Sequence, residues 1–310
     1  MKIVFMGTPE FAVPSLDAVN QEHEVTSVVT QPDRPKGRGH NVQISPVKAR
    51  ALELDLPIHQ PRRVSEPGFI QQLRQEAPDV IVVVAFGQKI PSELLSLAPH
   101  GCINVHGSLL PQYRGAAPIH RAIADGCVST GVTTMYLSEA WDAGDIILQQ
   151  PLTIESTDTA GSLHDRMMRI GADLLVETLL QIAKGTAPRI PQDHDSATYA
   201  FKLSKEDGRL NWSHPAHSLA NLVRGMDPWP GAFTTYKGTT LKVRKAVAMA
   251  GCGTPAEVAA IDEYGIIVGT GDGLLRLEEI QRPGSRWLKG RDAANGLRIQ
   301  PGDEFDADSE

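Results

Sequence analysis

The sequence predicts an α/β protein: a doubly wound, mostly parallel Rossmann-like sheet followed by a small C-terminal β-barrel of OB-like form. Three observations predict it. Short apolar runs alternate with helix-length amphipathic segments up to residue 189, the pattern of repeated βαβ units. One run, "DVIVVVAF" at 79–86, is apolar at every position after the first, as a strand covered on both faces must be. Beyond residue 208 the pattern changes to short alternating runs separated by glycine, which read as the strands of a small barrel.

In chain order, "KIVFMG" (2–7) is the first strand. Thr8 reads as an N-cap with Pro9 at the first position of a helix reaching Asn20. "GTPEFA" lacks the spaced glycines of a dinucleotide fingerprint, so no such cofactor is expected there. "EVTSVVTQ" (24–31) is the second strand and is followed by a polar loop. "SPVKARALEL" is helical, "PIHQP" a short strand, and "EPGFIQQLRQEA" a helix leading into the Val-rich strand. "PSELLSLA" gives a helix and "GCINVHG" the next strand. "GVTTMYL" (131–137) and "DIILQQPLTI" (145–154) are strands joined by "SEAWDAG", and a helix from Ala160 to Lys184 is stopped by Gly185. Domains are expected at 1–189 and 208–310, with a Pro-, Asp- and Ser-rich linker at 190–207 and an acidic tail. "GTGDG" (269–273) reads as a hairpin turn.

Composition narrows the function classes. A chain of 310 residues with 41% hydrophobic and 22% charged residues is ordinary globular composition, large enough for two cores. Its apolar runs are too short to span a bilayer, and its N-terminus reads directly as a strand, so a cytoplasmic protein is expected. The three cysteines, Cys102, Cys127 and Cys252, form no CxxC and are read as structural; the ten histidines form no HExxH, and no metal is expected. Charge is uneven beneath the net −7. Residues 1–201 hold 16 basic and 22 acidic side chains, residues 202–298 hold 14 and 10, and the tail holds five acids and no base. Such asymmetry fits a locally basic face for a polyanion, or simply a solvated surface.

The chemistry is concentrated where "CINV" gives way to "HGSLLPQYRG". Residues two apart on a strand share a face, so Asn104 and His106 present an amide and an imidazole side by side at the strand's carboxyl end. That is where open α/β sheets bind ligands. An amide N–H can donate to an oxygen gaining negative charge, and an imidazole can move a proton near neutral pH. Asp142, on the turn "WDAGD", supplies a carboxylate to hold that imidazole, whereas Asp145, at a strand start, reads as structural. From these residues alone, a polar strand end satisfied by nearby backbone is an equally open reading.

"NVHGSLLPQYRGAAPIHRAI", with "GVTTMYLSEAWDAGDII" downstream, resembles the folate-dependent formyltransferases, whose shared pattern is Asn-x-His, an SLLP turn, a Gly after Arg, and a later Asp-x-Gly. The resemblance implies 10-formyltetrahydrofolate as formyl donor, with no metal. It assigns Asn104 to the developing oxyanion, His106 to proton transfer and Asp142 to orienting His106. Ser108, Leu109, Leu110 and Pro111 would wall a flat pteridine, and Phe86 and Gly87 of "VVAFGQKIP" would complete that pocket. Three further phrases, "TQPDRPKGRGHNVQISPVK" (30–48), "KLSKEDGRLNW" and "RGMDPWPGAF", are similar to the branch that formylates methionyl initiator tRNA for translation initiation. On that reading 1–189 is catalytic and 208–310 binds tRNA. Phosphate contacts would come from Arg34, Lys36 and Arg38 on a glycine-containing loop, and from Lys242, Arg244 and Lys245 along one strand. A monomer is expected. His40 stands where the branch has Lys, and Leu137 and Trp141 depart from the folate signature. Two alternatives stay open: the same donor with a nucleotide sugar, a purine precursor or water as acceptor, and an RNA-binding protein without catalysis.

Overall fold

The computed structural model describes residues 1–36 and 41–306. They divide into two compact units. The first comprises Met1–Gly115, Ser129–Thr153 and His164–Tyr199, and the second Ala116–Val128, Ile154–Leu163 and the chain from Ala200 onward.

The first half of the chain runs β1 (Lys2–Gly7), α1 (Val13–Glu22), β2 (Glu24–Val29), β3 (Arg34–Lys36), β4 (Asn41–Gln43), α2 (Pro46–Glu53), β5 (Ile58–His59), α3 (Pro67–Glu76), β6 (Val80–Val84), α4 (Ser92–Leu95), β7 (Cys102–His106), β8 (Arg114–Gly115), α5 (Pro118–Ala124), β9 (Ser129–Tyr136), β10 (Ile146–Thr153), α6 (Ala160–Ala183) and β11 (Tyr199–Ala200). Seven strands form one sheet in the order β10-β9-β7-β6-β1-β2-β5. The five from β7 to β5 are parallel, and β9 and β10 close that flank antiparallel. The sheet is therefore mostly parallel, and its chain order reverses between β1 and β6. Ile3 to Met6 and Val80 to Val82 are fully buried, which is why those runs show no alternation.

Two local expectations change. Thr8 does not cap a helix: its Oγ1 donates to the Phe86 carbonyl at 2.9 Å, and a 3₁₀ turn at Glu10–Ala12 precedes α1. The hydroxyl instead ties the end of β1 to its neighbours, accepting from Gln31 N–H at 3.4 Å while it donates to Phe86. The polar segment after β2 is a short antiparallel ribbon, with Arg34 opposite Gln43 and Lys36 opposite Asn41.

The second unit holds α7 (Ala216–Gly225), β12 (Ala232–Tyr236), β13 (Thr239–Met249), β14 (Val258–Ile261), β15 (Ile266–Gly269), β16 (Leu274–Gln281), β17 (Leu288–Lys289) and α8 (Gly290–Leu297). Its sheet is antiparallel throughout, ordered β12-β13-β16-β15-β14 with β17 on β16. The turn at 270–273 joins β15 to β16, and Thr270 N–H closes it onto the Gly273 carbonyl at 3.2 Å. Leu219, Val223, Leu241, Val243, Leu275 and Leu277 form the core of this unit with Trp212 and Phe305. Helix α5 belongs here as well, packed on α7. A Cβ on Gly225 would sit 2.9 Å from Ala124 N and from His120 O, so only glycine allows that approach. Among the described residues, no helix is long and apolar enough to cross a membrane.

Candidate active site

Strand β7 places its side chains by simple alternation. Val105 faces α6, where a Cβ on Gly171 would come within 3.0 Å of it. Asn104 and His106 therefore face the opposite side together, 9% and 6% exposed. Their surroundings differ. His106 donates from Nε2 to the Tyr113 carbonyl at 2.9 Å, which leaves Nδ1 facing Asp142 Oδ2 at 3.7 Å. That separation is too long for a hydrogen bond and close enough for a charge pair when Nδ1 carries a proton. The Asn104 amide makes no hydrogen bond to any described residue, although the residue is largely buried. Its amide is therefore left open to a ligand rather than used in the fold.

Asp142 is held by backbone. Gly115 N–H donates to its Oδ2 at 2.7 Å, and its own φ of 48° lies in the left-handed region. Two residues on, a Cβ at Gly144 would lie 1.8 Å from the Tyr136 carbonyl, so the turn "WDAG" closes only with glycine there. Asp145 is set apart from this group, and Arg189 Nη1 lies 3.7 Å from its carboxylate. Trp141 is 65% exposed, while Leu137 packs against the clusters containing Phe86 and Leu110.

The "SLLP" turn is tied down by its own chain and by β9. Ser108 Oγ donates to the Gln112 carbonyl at 2.6 Å and is fully buried, so it pins the turn. Thr133, opposite His106 in the β7–β9 register, accepts from Leu110 N–H at 3.1 Å and donates to the Ser108 carbonyl at 2.6 Å. Gln149 Nε2 donates to the Leu110 carbonyl at 2.9 Å. Leu110 is buried against Met135 and Ile146, whereas Leu109 and Pro111 are half-buried. Phe86 is a core residue packed with Val4, Met6 and Val83, and Gly87 is exposed with a φ of 88°.

Two residues that the sequence reading left without a role join the group. Arg114 is 4% exposed, and among the described residues no carboxylate pairs with it; Nε and Nη2 donate to Gln192 Oε1 at 3.1 and 2.7 Å. Gln192 is 6% exposed, and its Nε2 donates to the carbonyls of Asp142 and Gly144 at 2.9 and 2.7 Å. The "YRG" phrase was visible beside the catalytic-looking strand, but nothing near Gln192 distinguishes it from a polar linker.

Lys242 is exposed and unpaired among the described residues. Arg244 Nε donates to Glu279 Oε2 at 2.9 Å, with the guanidinium over the Trp287 ring, and Lys245 pairs with Glu278 at 3.0 Å. A bulge between Val243 and Ala246 puts both Arg244 and Lys245 on the exposed side. Arg34 and Lys36 are in β3; Arg38 and His40 lie outside the described residues. Burial pushes the Cys102 thiol up to about 12, so this cysteine is no nucleophile at neutral pH.

An open α/β sheet that presents an amide with no hydrogen-bond partner among the described residues, an imidazole and a carboxylate at one carboxyl edge holds the groups that a group-transfer reaction through an oxyanion requires. The description "Formyl transferase" matches residues 1–179 and "Formyl transferase, C-terminal domain" matches residues 202–298; the chain belongs to the formyl transferase family. It is 47% identical over 315 residues to the methionyl-tRNA formyltransferase of Halothermothrix orenii, spanning 98% of this chain and 100% of that one. To the methionyl-tRNA formyltransferase of Geobacter metallireducens it is 46% identical over 303 residues, 97% of each chain. A solved sugar 3N-formyl transferase, WlaRD, in the presence of dTDP and 5-N-formyl-THF, shares the fold with a TM-score of 0.68 at 19% identity, over 92% of this chain and 99% of that one.

Proposed function

We infer that the protein transfers a formyl group from 10-formyltetrahydrofolate to the α-amino group of methionyl initiator tRNA, supplying translation initiation. The observation that carries the chemistry is the Asn104 amide beside His106, largely buried and without a hydrogen-bond partner among the described residues. The acceptor rests on the near full-length likeness to methionyl-tRNA formyltransferases.

The neutral amine adds to the formyl carbon, forming one C–N bond and a tetrahedral species whose oxygen is negative. Asn104 donates to that oxygen, a contribution worth roughly 10²–10³ in rate. Collapse breaks the bond to N10 of the folate, and the net proton movement is from the acceptor nitrogen to N10. His106 carries it through Nδ1, because Nε2 is committed to the Tyr113 carbonyl. Asp142 faces that nitrogen and orients the imidazole. The donor set is suited to amide-type exchange and needs no metal.

Leu109, Leu110 and Pro111, with the backbone of Ser108, Phe86 and Gly87, wall the pteridine in this reading. The Ser108 hydroxyl and the Phe86 ring serve structure instead. Lys242, then Arg244 and Lys245, meet tRNA phosphates together with Arg34, Lys36 and Arg38. The second unit works as an OB-like barrel in this reading; in its support, Phe305 N–H bonds to the Ala256 carbonyl just before β14 and Asp306 N–H to the Thr235 carbonyl of β12, so one segment touches the chain at both outer strands. Residues 1–189 act as the catalytic domain, 190–207 connect, and 208–310 hold tRNA. The chain acts as a cytoplasmic monomer, which sedimentation at working concentration checks for oligomeric state. The decisive experiment is transfer of radiolabelled formyl from 10-formyltetrahydrofolate, offered in parallel to methionyl initiator tRNA and a nucleotide amino sugar. Label on methionine is expected; label only on the sugar overturns the acceptor assignment.

A further inference from the structure

One tripeptide touches both titratable side chains of the site. Tyr113 gives its carbonyl to His106 Nε2, and Gly115 gives its N–H to Asp142 Oδ2. The residue between them, Arg114, sends its guanidinium inward to Gln192. Gln192 turns its other end to the carbonyls of Asp142 and Gly144. The Gln192 amide thus bridges the two chain segments whose spacing sets the distance from Asp142 to His106. Both segments need such a brace. Tyr113 and Asp142 are non-glycine residues with φ of 56° and 48°, conformations that persist only where the surroundings over-determine them.

The stretch around Gln192 is itself anchored to the tripeptide. Thr198 Oγ1 accepts from Tyr113 N–H at 2.8 Å, and the Thr198 carbonyl accepts from Arg114 N–H at 2.8 Å. His194 Nδ1 lies 3.1 Å from Arg114 Nη2 and accepts a third bond from the guanidinium. Gln192 and His194 thus receive the Nε and Nη2 hydrogen bonds of a buried guanidinium that, among the described residues, pairs with no carboxylate, and the same Gln192 amide carries the network on to the Asp142 backbone.

We propose that Gln192 is a positioning residue for formyl transfer: through Arg114 and the Asp142–Gly144 carbonyls it holds the Asp142 carboxylate against His106. The proposal rests on the catalytic roles read above for His106 and Asp142. Gln192 touches no substrate; its contribution is the geometry of a carboxylate that acts at a distance of 3.7 Å. Removing the amide takes the Gln192 donor from two carbonyls and leaves the guanidinium only its bond to His194, while the local backbone pairing through Thr198 remains.

The test is a double-mutant cycle in the full chain, with single-turnover and steady-state formyl transfer as readouts. Gln192→Met fills the volume without the hydrogen bonds. It is expected to lower kcat roughly 10- to 100-fold, the scale of a misplacement of about 1 Å, while KM for 10-formyltetrahydrofolate stays within about twofold. In an Asp142→Asn background the same substitution is expected to cost less than about threefold, because the group it positions is already gone. Gln192→Asn, which keeps the amide but is one methylene short of bridging, should fall between wild type and Gln192→Met. It serves as the variant if Gln192→Met does not fold. Rates are taken well below the lowest melting temperature, so that loss of folded protein does not enter. A full additive loss in the Asp142→Asn background, or wild-type kcat in both Gln192 variants, overturns the proposal alone. Wild-type kcat for Asp142→Asn itself overturns the underlying reading of the site and the proposal with it.

Discussion

Strands β7 and β13 each carry polar side chains two residues apart, and the structure treats the two pairs in opposite ways. On β7, Asn104 and His106 are buried and meet backbone groups or no described partner at all. On β13, Lys242 and Arg244 are exposed, and Arg244 is already matched by Glu279. Across the surface beside it, Lys245 and Arg276 share Glu278, and Arg276 also reaches Asp262. The difference teaches where chemistry is possible. Preorganised donors in a site of low dielectric act strongly on developing charge. Exposed ion pairs contribute at most about 1 kcal/mol and exchange partners readily. The first strand has the burial that the role proposed for it needs, and the second the exposed, exchangeable pairing suited to a surface contact.

The largest effect expected from this contrast is at Asn104. Asn104→Ala removes an amide that holds nothing in the protein, so its melting temperature should stay near that of wild type while kcat falls roughly 10²–10³-fold. A drop in stability with unchanged kcat would reverse the contrast and make Asn104 a structural residue. Next in size is Gly144→Ala. The added Cβ would meet the Tyr136 carbonyl at 1.8 Å, and a backbone oxygen cannot yield as a flexible side chain can. The turn that presents Asp142 must shift, and kcat is expected to fall about tenfold or more. Comparison of kcat with a thermal melt separates displacement of Asp142 from general loss of fold.

What the sequence shows about these two strands follows from how local each signal is. The Val-rich run at 79–86 and the Asn-x-His spacing depend only on strand period and burial, so both are legible in neighbouring residues. The pairing of Arg244 with Glu279 and Lys245 with Glu278 depends on the β13–β16 register, and no feature near residue 244 announces it. Gln192 is hidden for the same reason. Its partner Arg114 is 78 residues away, and the Pro, Asp and Ser around it look like any exposed connection. Helix α5 lies in the sequence between strands β8 and β9 of the first unit, yet it packs on α7 about a hundred residues later in the chain, through contacts that glycine at 225 permits. Thr8 follows the same logic: its sequence favours a cap, and a carbonyl 78 residues away takes the hydroxyl.

A smaller effect separates the free cation of β13 from the paired one. Lys242→Ala should weaken tRNA binding severalfold at low salt and reduce the salt slope of log K by roughly one. Arg244→Ala should do less, because its charge is already largely offset by Glu279. Glu279→Gln should act in the opposite direction, raising affinity at low salt by freeing the guanidinium. Titrations at two salt concentrations check all three, and equal effects from Lys242→Ala and Arg244→Ala would show that the pairing in the free protein has no bearing on RNA binding.

The smallest effect lies in an ion pair outside either strand. Asp207 is held down to about 2, first by the Ser204 hydroxyl and N–H and then by Arg121 at 2.5 Å. A carboxylate whose pKa is depressed on folding stabilises the protein above the ordinary carboxylate value of about 3.9 and stops doing so as pH falls through its folded pKa. Asp207→Asn should therefore lower the melting temperature at neutral pH by only about 1–2 °C, given the solvent exposure of the pair. That difference should narrow as pH drops from about 4 towards 2, where the wild-type carboxylate gains its proton. A penalty of the same size at pH 7 and pH 2 would show that it does not depend on the carboxylate's charge and would remove charge from the account of this contact.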